Sequence, residues 1–129
     1  MATATYFQRG EAIDYVNSGD SKIAAGTILL FGSRLAVAGC DIPAGEAGSL
    51  FVTGVFRMPK EYAASDKALT AGQNVQWDNS NSYIKAAVAQ VVGTGGDAGK
   101  VTTEASPVHG FVVEAAASAD ETVLVKINA

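Results

Sequence analysis

Three kinds of chemistry could be written into this chain: nucleophilic attack, metal ligation and phosphate binding. The single thiol, Cys40, and the single imidazole, His109, lie far apart in sequence. A nucleophile needs a base within hydrogen-bond reach, and neither residue has a local partner of the Ser-His-Asp or Cys-His kind. One histidine and one cysteine cannot supply the closed nitrogen–sulfur set of a zinc site. Cys40 therefore reads as a small buried apolar side chain that forms no internal disulfide. His109 reads as a strand-end residue with a packing or surface role.

The stretch Gly93-Thr-Gly-Gly-Asp-Ala-Gly99-Lys100-Val101 resembles a phosphate cradle at first sight. A P-loop needs a glycine five residues before its Gly-Lys pair and a Ser or Thr after it, so that amides wrap the phosphates and a hydroxyl holds magnesium. Thr94 and Val101 stand at those two places, and no helix follows to supply a dipole. The stretch reads as a solvated connector. Asp41, Glu46, Asp66, Asp78, Asp97, Asp120 and Glu121 all sit in turn-forming sequence, where carboxylates accept backbone N–H bonds. Trp77 reads as a core anchor; with Asp78, Asn79 and Asn81 it is the one aromatic–polar group that could stack a sugar. No catalytic residue, cofactor or metal is expected, and the protein is not expected to be an enzyme.

The elements that hold these residues are short. The chain has 129 residues, enough for one domain, with 48% hydrophobic and 17% charged residues. The net charge of −4, with nine scattered Lys and Arg, argues against a nucleic-acid partner. No apolar run approaches the ~20 residues of a membrane span. Met1-Ala-Thr-Ala-Thr lacks the basic start and apolar core of a signal peptide, so folding in a cytoplasm is expected. Strands are predicted at 11–16, 28–31, 34–39, 49–58, 75–77, 83–92, 101–104, 108–115 and 122–128, separated by Gly, Pro, Asn and Asp turns. The run Ser49–Met58 is apolar on both faces, which predicts a central strand or an oligomer contact through Phe51, Val55 and Phe56. Residues 114–121 are the best helical stretch, short and without an apolar stripe. The fold class is all-β, a small barrel or sandwich with Gly-rich turns. Residues 1–10 read as an extended arm and 11–129 as a single β domain.

One pattern also occurs twice. Ile23-Ala-Ala-Gly26-Thr and Leu69-Thr-Ala-Gly72-Gln each open a strand; Leu35–Gly39 and Gly110–Ala115 follow as alanine- and valine-rich strands; Pro43–Gly48 and Ala119–Thr122 are acidic turns feeding a last strand. An internal duplication is the reading, and it suits a scaffold better than a single catalytic pocket.

The segments Tyr6–Asp14, Ile23-Ala-Ala-Gly26-Thr, Ala36-Val-Ala38, Ile42–Gly48, Val52–Phe56, Met58-Pro-Lys60 and Leu69–Asp78 keep an order and spacing that resembles a family of small tailed-phage and prophage head proteins. Some of its members carry a recombinase-like label, which the missing nucleotide motif does not support here. The resemblance implies a β-rich, usually trimeric capsid decoration (cement) protein. It would bind the major capsid protein on the outside of the shell, in the virion, after assembly in the host cytoplasm. It supplies no catalytic residues. Thr3, Tyr6, Phe7 and Gln8 would then form a capsid-contacting arm that adds a strand to an edge of the shell, and Phe51, Val55 and Phe56 a homotrimer interface. The alternative is a β-barrel fibre or spike module that binds carbohydrate or another host surface around Trp77.

Overall fold

The computed structural model describes residues 2–6, 10–89 and 91–128, and these are all-β. The strands are β1 (Ala12–Val16), β2 (Ile28–Phe31), β3 (Arg34–Ala38), β4 (Ala47–Phe51), β5 (Gly54–Pro59), β6 (Asn74–Asp78), β7 (Tyr83–Ala86), β8 (Val91–Val92), β9 (Val101–Thr103), β10 (Gly110–Glu114) and β11 (Thr122–Ile127). A first sheet has the order β1-β4-β3-β2, a second β5-β11-β10-β6-β7, and β8 and β9 form a two-stranded third. All the strand pairings within these sheets are antiparallel.

The two sheets follow one plan. The pairs Ile28↔Val37 and Leu29↔Ala36 of β2 and β3 recur as Asn74↔Phe111 and Val75↔Gly110 of β6 and β10. Ala12↔Phe51 and Val16↔Ala47 of β1 and β4 recur as Val55↔Lys126 and Pro59↔Thr122 of β5 and β11. The turns agree as well. Ile23 bridges Ile42 as Leu69 bridges Ala116. The Gly26 N–H donates to the Ala38 carbonyl at 2.8 Å, and the Gly72 N–H to that of Val112 at 2.7 Å. Both turns need the left-handed backbone that glycine takes without strain, with φ of 85° at Gly26 and 84° at Gly72. The sheets differ by an insertion. β2 turns straight into β3 through Gly32 and Ser33, whereas β7, β8 and β9 intervene between β6 and β10.

Alternation along the strands sets two cores. The larger collects Met58, Val75, Trp77, Ile84, Val112, Val123, Val125 and Ile127 of the second sheet with Leu35 and Val37 of the first. The opposite face of β3 (Ala36, Ala38) packs with Leu50 and Ile42 in a smaller core, closed over by Ile13, Tyr15, Ile23 and Leu29. Strand ends are plugged by polar heads. Asn17 Nδ2 donates to the carbonyls of Ser21 and Ile42 at 2.7 and 2.9 Å. At the matching place after β5, Lys60, only 2% exposed, donates through Nζ to the carbonyls of Glu61, Ser118 and Asp120. Burial lowers the Lys60 pKa, partly offset by Asp120 and Glu61.

Several expectations need correcting. Residues 49–58 are not one central strand: the chain leaves β4 at Phe51 and re-enters pairing at Gly54 in the other sheet, so neighbouring side chains serve different layers. Gly54 has φ of 131°, a conformation that sequence alternation cannot foresee. Residues 83–92 break after Ala86. Residues 114–121 form no helix, because Ala116 bridges Leu69 and the Asp120 carboxylate accepts the Ala117 N–H at 2.8 Å, holding a turn. Neither sheet closes into a barrel, the second being joined across its ends only by the single Lys60–Ile84 bridge, and the glycine connector holds a 3-10 turn at Gly95–Asp97.

Candidate functional site

The residues that could do chemistry are occupied with structure. His109 is buried, and its Nδ1 accepts the Trp77 N–H at 2.8 Å, so the ring is neutral with the proton on Nε2. Burial pushes its pKa down. Trp77 is 8% exposed, its indole N–H donates to Asn79 Oδ1 at 3.2 Å, and it lines a concavity of about 500 Å³ together with Ile28, Phe56 and Met58. Asp78 Oδ1 accepts the N–H groups of Ser80 and Asn81, and Oδ2 accepts from Asn81 and faces Lys85 Nζ at 3.2 Å. The Asn81 hydrogen bonds, helped by Lys85, hold the Asp78 carboxyl at a pKa of about 2. Asp41 Oδ1 likewise accepts the Ala25 N–H at 2.8 Å. Cys40 departs from expectation: the residue is exposed and its thiol free, because β3 ends at Ala38 and Cys40 lies in the turn beyond it.

A concavity beside β7 gathers Glu61, Lys67, Gln76 and Lys85. Glu61 meets Lys67 at 2.6 Å, and the Lys67 and Tyr83 hydrogen bonds lower its pKa despite desolvation. Its charges neutralise one another. Among the described residues, no three His, Cys, Asp or Glu side chains converge as metal ligands. Among the described residues, no helix is long and apolar enough to cross a membrane.

What the surface does present is apolar. Phe51 ends β4, and Val55 and Phe56 follow Gly54 at the start of β5, so the crossover at Val52 and Thr53 folds all three against one shallow concavity of about 560 Å³, rimmed by Glu11 and Lys126. Phe51 is 40% and Val55 52% exposed, while Phe56 reaches inward to the larger core. The Phe51 and Phe56 rings sit 6.1 Å apart at 42°, a packed aromatic pair at the seam between the sheets. The structure thus brings together three residues that sequence reading assigned to one strand. Of the expected arm, Thr3 and Tyr6 lie in an exposed segment without secondary structure, Tyr6 at 81% exposure. Phe7 and Gln8 lie outside the described residues. Sequence reading missed Leu30 and Phe31, which are 43% and 45% exposed on the outer strand β2. The unbroken run Ile28-Leu-Leu-Phe31, too apolar for a solvent edge, was the available signal.

The seam, the outer strand β2 and the lead are among the places where the described surface exposes large apolar side chains. No curated protein and no solved structure matches the chain. A family model described as phage cement protein matches residues 7–127, nearly the whole of the described fold. On that coverage, the chain belongs to the phage cement protein family.

Proposed function

We propose that the protein is a decoration (cement) protein of a tailed-phage head, which binds the outer surface of the capsid shell as a homotrimer and stabilises it. The observation that carries this reading is the match to phage cement proteins over residues 7–127. The fold is consistent with it, because its polar groups are spent on turns and strand ends while apolar side chains remain on the surface. Such a protein gains affinity by repetition. Weak contacts from several linked copies on a symmetric lattice multiply into stable attachment. The acidic balance of −4 keeps it from adhering to packaged nucleic acid.

In this reading the Phe51–Val55–Phe56 seam is the contact between copies, since exposed aromatic and aliphatic side chains at the centre of a patch are the usual anchors of an interface. The lead, with Thr3, Tyr6, Phe7 and Gln8, is a strand-donating arm. The decisive experiment mixes purified protein with expanded shells lacking it and follows co-sedimentation. Saturable binding, together with raised resistance of the shells to heat, is expected. Protein that remains in the supernatant at all concentrations refutes the proposal.

A further inference from the structure

The common plan of the two sheets exposes a missing strand. In the second sheet β7 covers the outer edge of β6, with Gln76↔Lys85 and Trp77↔Ile84 in register. It then reaches the end of β5: Lys60 and Ile84 form a parallel bridge, and the Glu61 N–H donates to the Ile84 carbonyl at 2.9 Å. One strand therefore spans the interval between β6 and the end of β5. In the first sheet the matching interval lies between β2 and β1, and neither outer edge is paired among the described residues. Rings from the two edges, Tyr15 of β1 and Phe31 of β2, meet edge to face at 6.3 Å. Between these edges lies an apolar cleft of about 430 Å³ lined by Ile13, Phe31, Arg34, Val52 and Asn128.

We infer that this cleft is a strand acceptor and that its occupant is the segment Ala2–Tyr6 of a second copy of the chain. This inference names the receptor of the arm within the assembly proposed above. The covering strand sets the required direction: β7 runs antiparallel to β6 and parallel to the end of β5. A strand in the cleft must then run antiparallel to β2 and parallel to β1. The chain's own lead cannot do this. Only residues 7–11 separate Tyr6 from β1, and a parallel neighbour needs a crossover of roughly a dozen residues or more. The donor therefore comes from another molecule.

The lead has the makeup of a half-buried strand. In Ala2-Thr-Ala-Thr-Tyr6, Ala2, Ala4 and Tyr6 fall on one face and Thr3 and Thr5 on the other. All five residues are exposed and unpaired, and none carries a charge. Five residues extended cover roughly 17 Å, more than the length of β2. Every copy thus carries one donor and one acceptor that do not satisfy each other internally. Such head-to-tail pairing closes into a ring when the rotation allows, as in a trimer.

The test uses the isolated protein, so its outcome does not depend on the shell. In a Cys40→Ser background, one chain carries Thr3→Cys or Thr5→Cys, and a second carries Leu30→Cys with residues 2–6 deleted. Mixed under mild oxidation, the two should form a disulfide-linked heterodimer in at least one arm position. Deleting residues 2–6 from the otherwise unaltered chain should lower the oligomeric state in light scattering, with the far-ultraviolet circular dichroism kept. No cross-link at either position, with the deletion leaving the assembly unchanged, overturns the inference. So does an arm peptide, residues 2–8, that binds expanded shells but not the deleted protein; that result leaves the decoration reading standing. Arm exchange between copies that nevertheless fail to bind shells overturns the decoration reading alone.

Discussion

The Asn128 side chain completes the backbone of Leu35, a residue of the other sheet. Its Oδ1 accepts the Leu35 N–H at 3.1 Å, and its Nδ2 donates to the Leu35 carbonyl at 2.6 Å and the Val52 carbonyl at 2.7 Å. The side chain acts as a one-residue strand placed beside β3 where β4 no longer pairs with it. Asn128 adopts φ of 56°, a conformation that asparagine tolerates better than most residues. The end of β11 is thereby tied to the first sheet.

Replacing this clamp should loosen the two sheets together. Asn128→Ala removes three hydrogen bonds and strands the Leu35 amide, and a loss of about 2–4 kcal/mol is expected. Asn128→Asp should cost more, because it sets a carboxylate against two carbonyl oxygens. Urea unfolding checks both variants; midpoints equal to that of the parent chain contradict the clamp.

Lys60 is held for its donors rather than for catalysis. Lys60→Met keeps the apolar stem but removes the donor to the carbonyls of Glu61 and Asp120, while that of Ser118 keeps only the Ala63 N–H. A destabilisation of about 2–3 kcal/mol is expected. Thermal unfolding measures it, and an unchanged or raised melting temperature contradicts the role.

His109 makes the fold acid-sensitive. Its folded pKa lies below the ordinary histidine value because of burial. Between the two pKa values the unfolded chain binds the extra proton, so stability rises with pH there. The contribution is complete above the unfolded value and is lost as pH falls through that value toward the folded one. Protonation of Nδ1 would also end its acceptance of the Trp77 N–H. Melting temperatures between pH 5 and pH 8, a window set about the ordinary histidine pKa of ~6.5, should fall on the acid side for the parent chain. The slope should flatten in His109→Gln, and equal slopes would dismiss the histidine.

Gly110 of β10 pairs with Ile127 of β11. A Cβ there would collide with the Lys126 carbonyl oxygen, part of the backbone, and would press on Val125. Gly110→Ala should therefore cost roughly 1–3 kcal/mol or more, as overpacking does. Gly10→Ala, whose Cβ meets nothing, is the matched control and should be near neutral in the same unfolding assay.

The seam predicts the state of assembly. Phe51→Ser with Val55→Asp adds polarity to a patch that is already exposed, so the fold should survive and self-association should weaken at least tenfold. Sedimentation equilibrium across a concentration series reads this directly; an unaltered association constant removes the seam from the interface.

Much of the fold was legible because β-structure leaves short-range marks. Alternation in Thr122–Ile127, the Asp78–Ser82 turn cluster and the matched Gly26 and Gly72 turns each rest on a few neighbouring residues. Cys40 was misjudged because its exposure depends on where β3 stops, and the division of residues 49–58 because one glycine turned the chain into a second layer. The recurring Ile23 and Leu69 segments marked two similar turns, but not that one sheet would carry a covering strand and the other would not.

The sequence by itself determined the class of structure, the turns, the acidic balance and the kinship to phage cement proteins, since these follow from residue type and local spacing. Tertiary structure decided which side chains share a surface. Phe51, Val55 and Phe56 meet at a seam, His109 locks Trp77, and β2 is left bare, because each of these depends on pairings between segments far apart in the chain. Period-two alternation says which residues share a face of a strand, but not which strand will lie beside it.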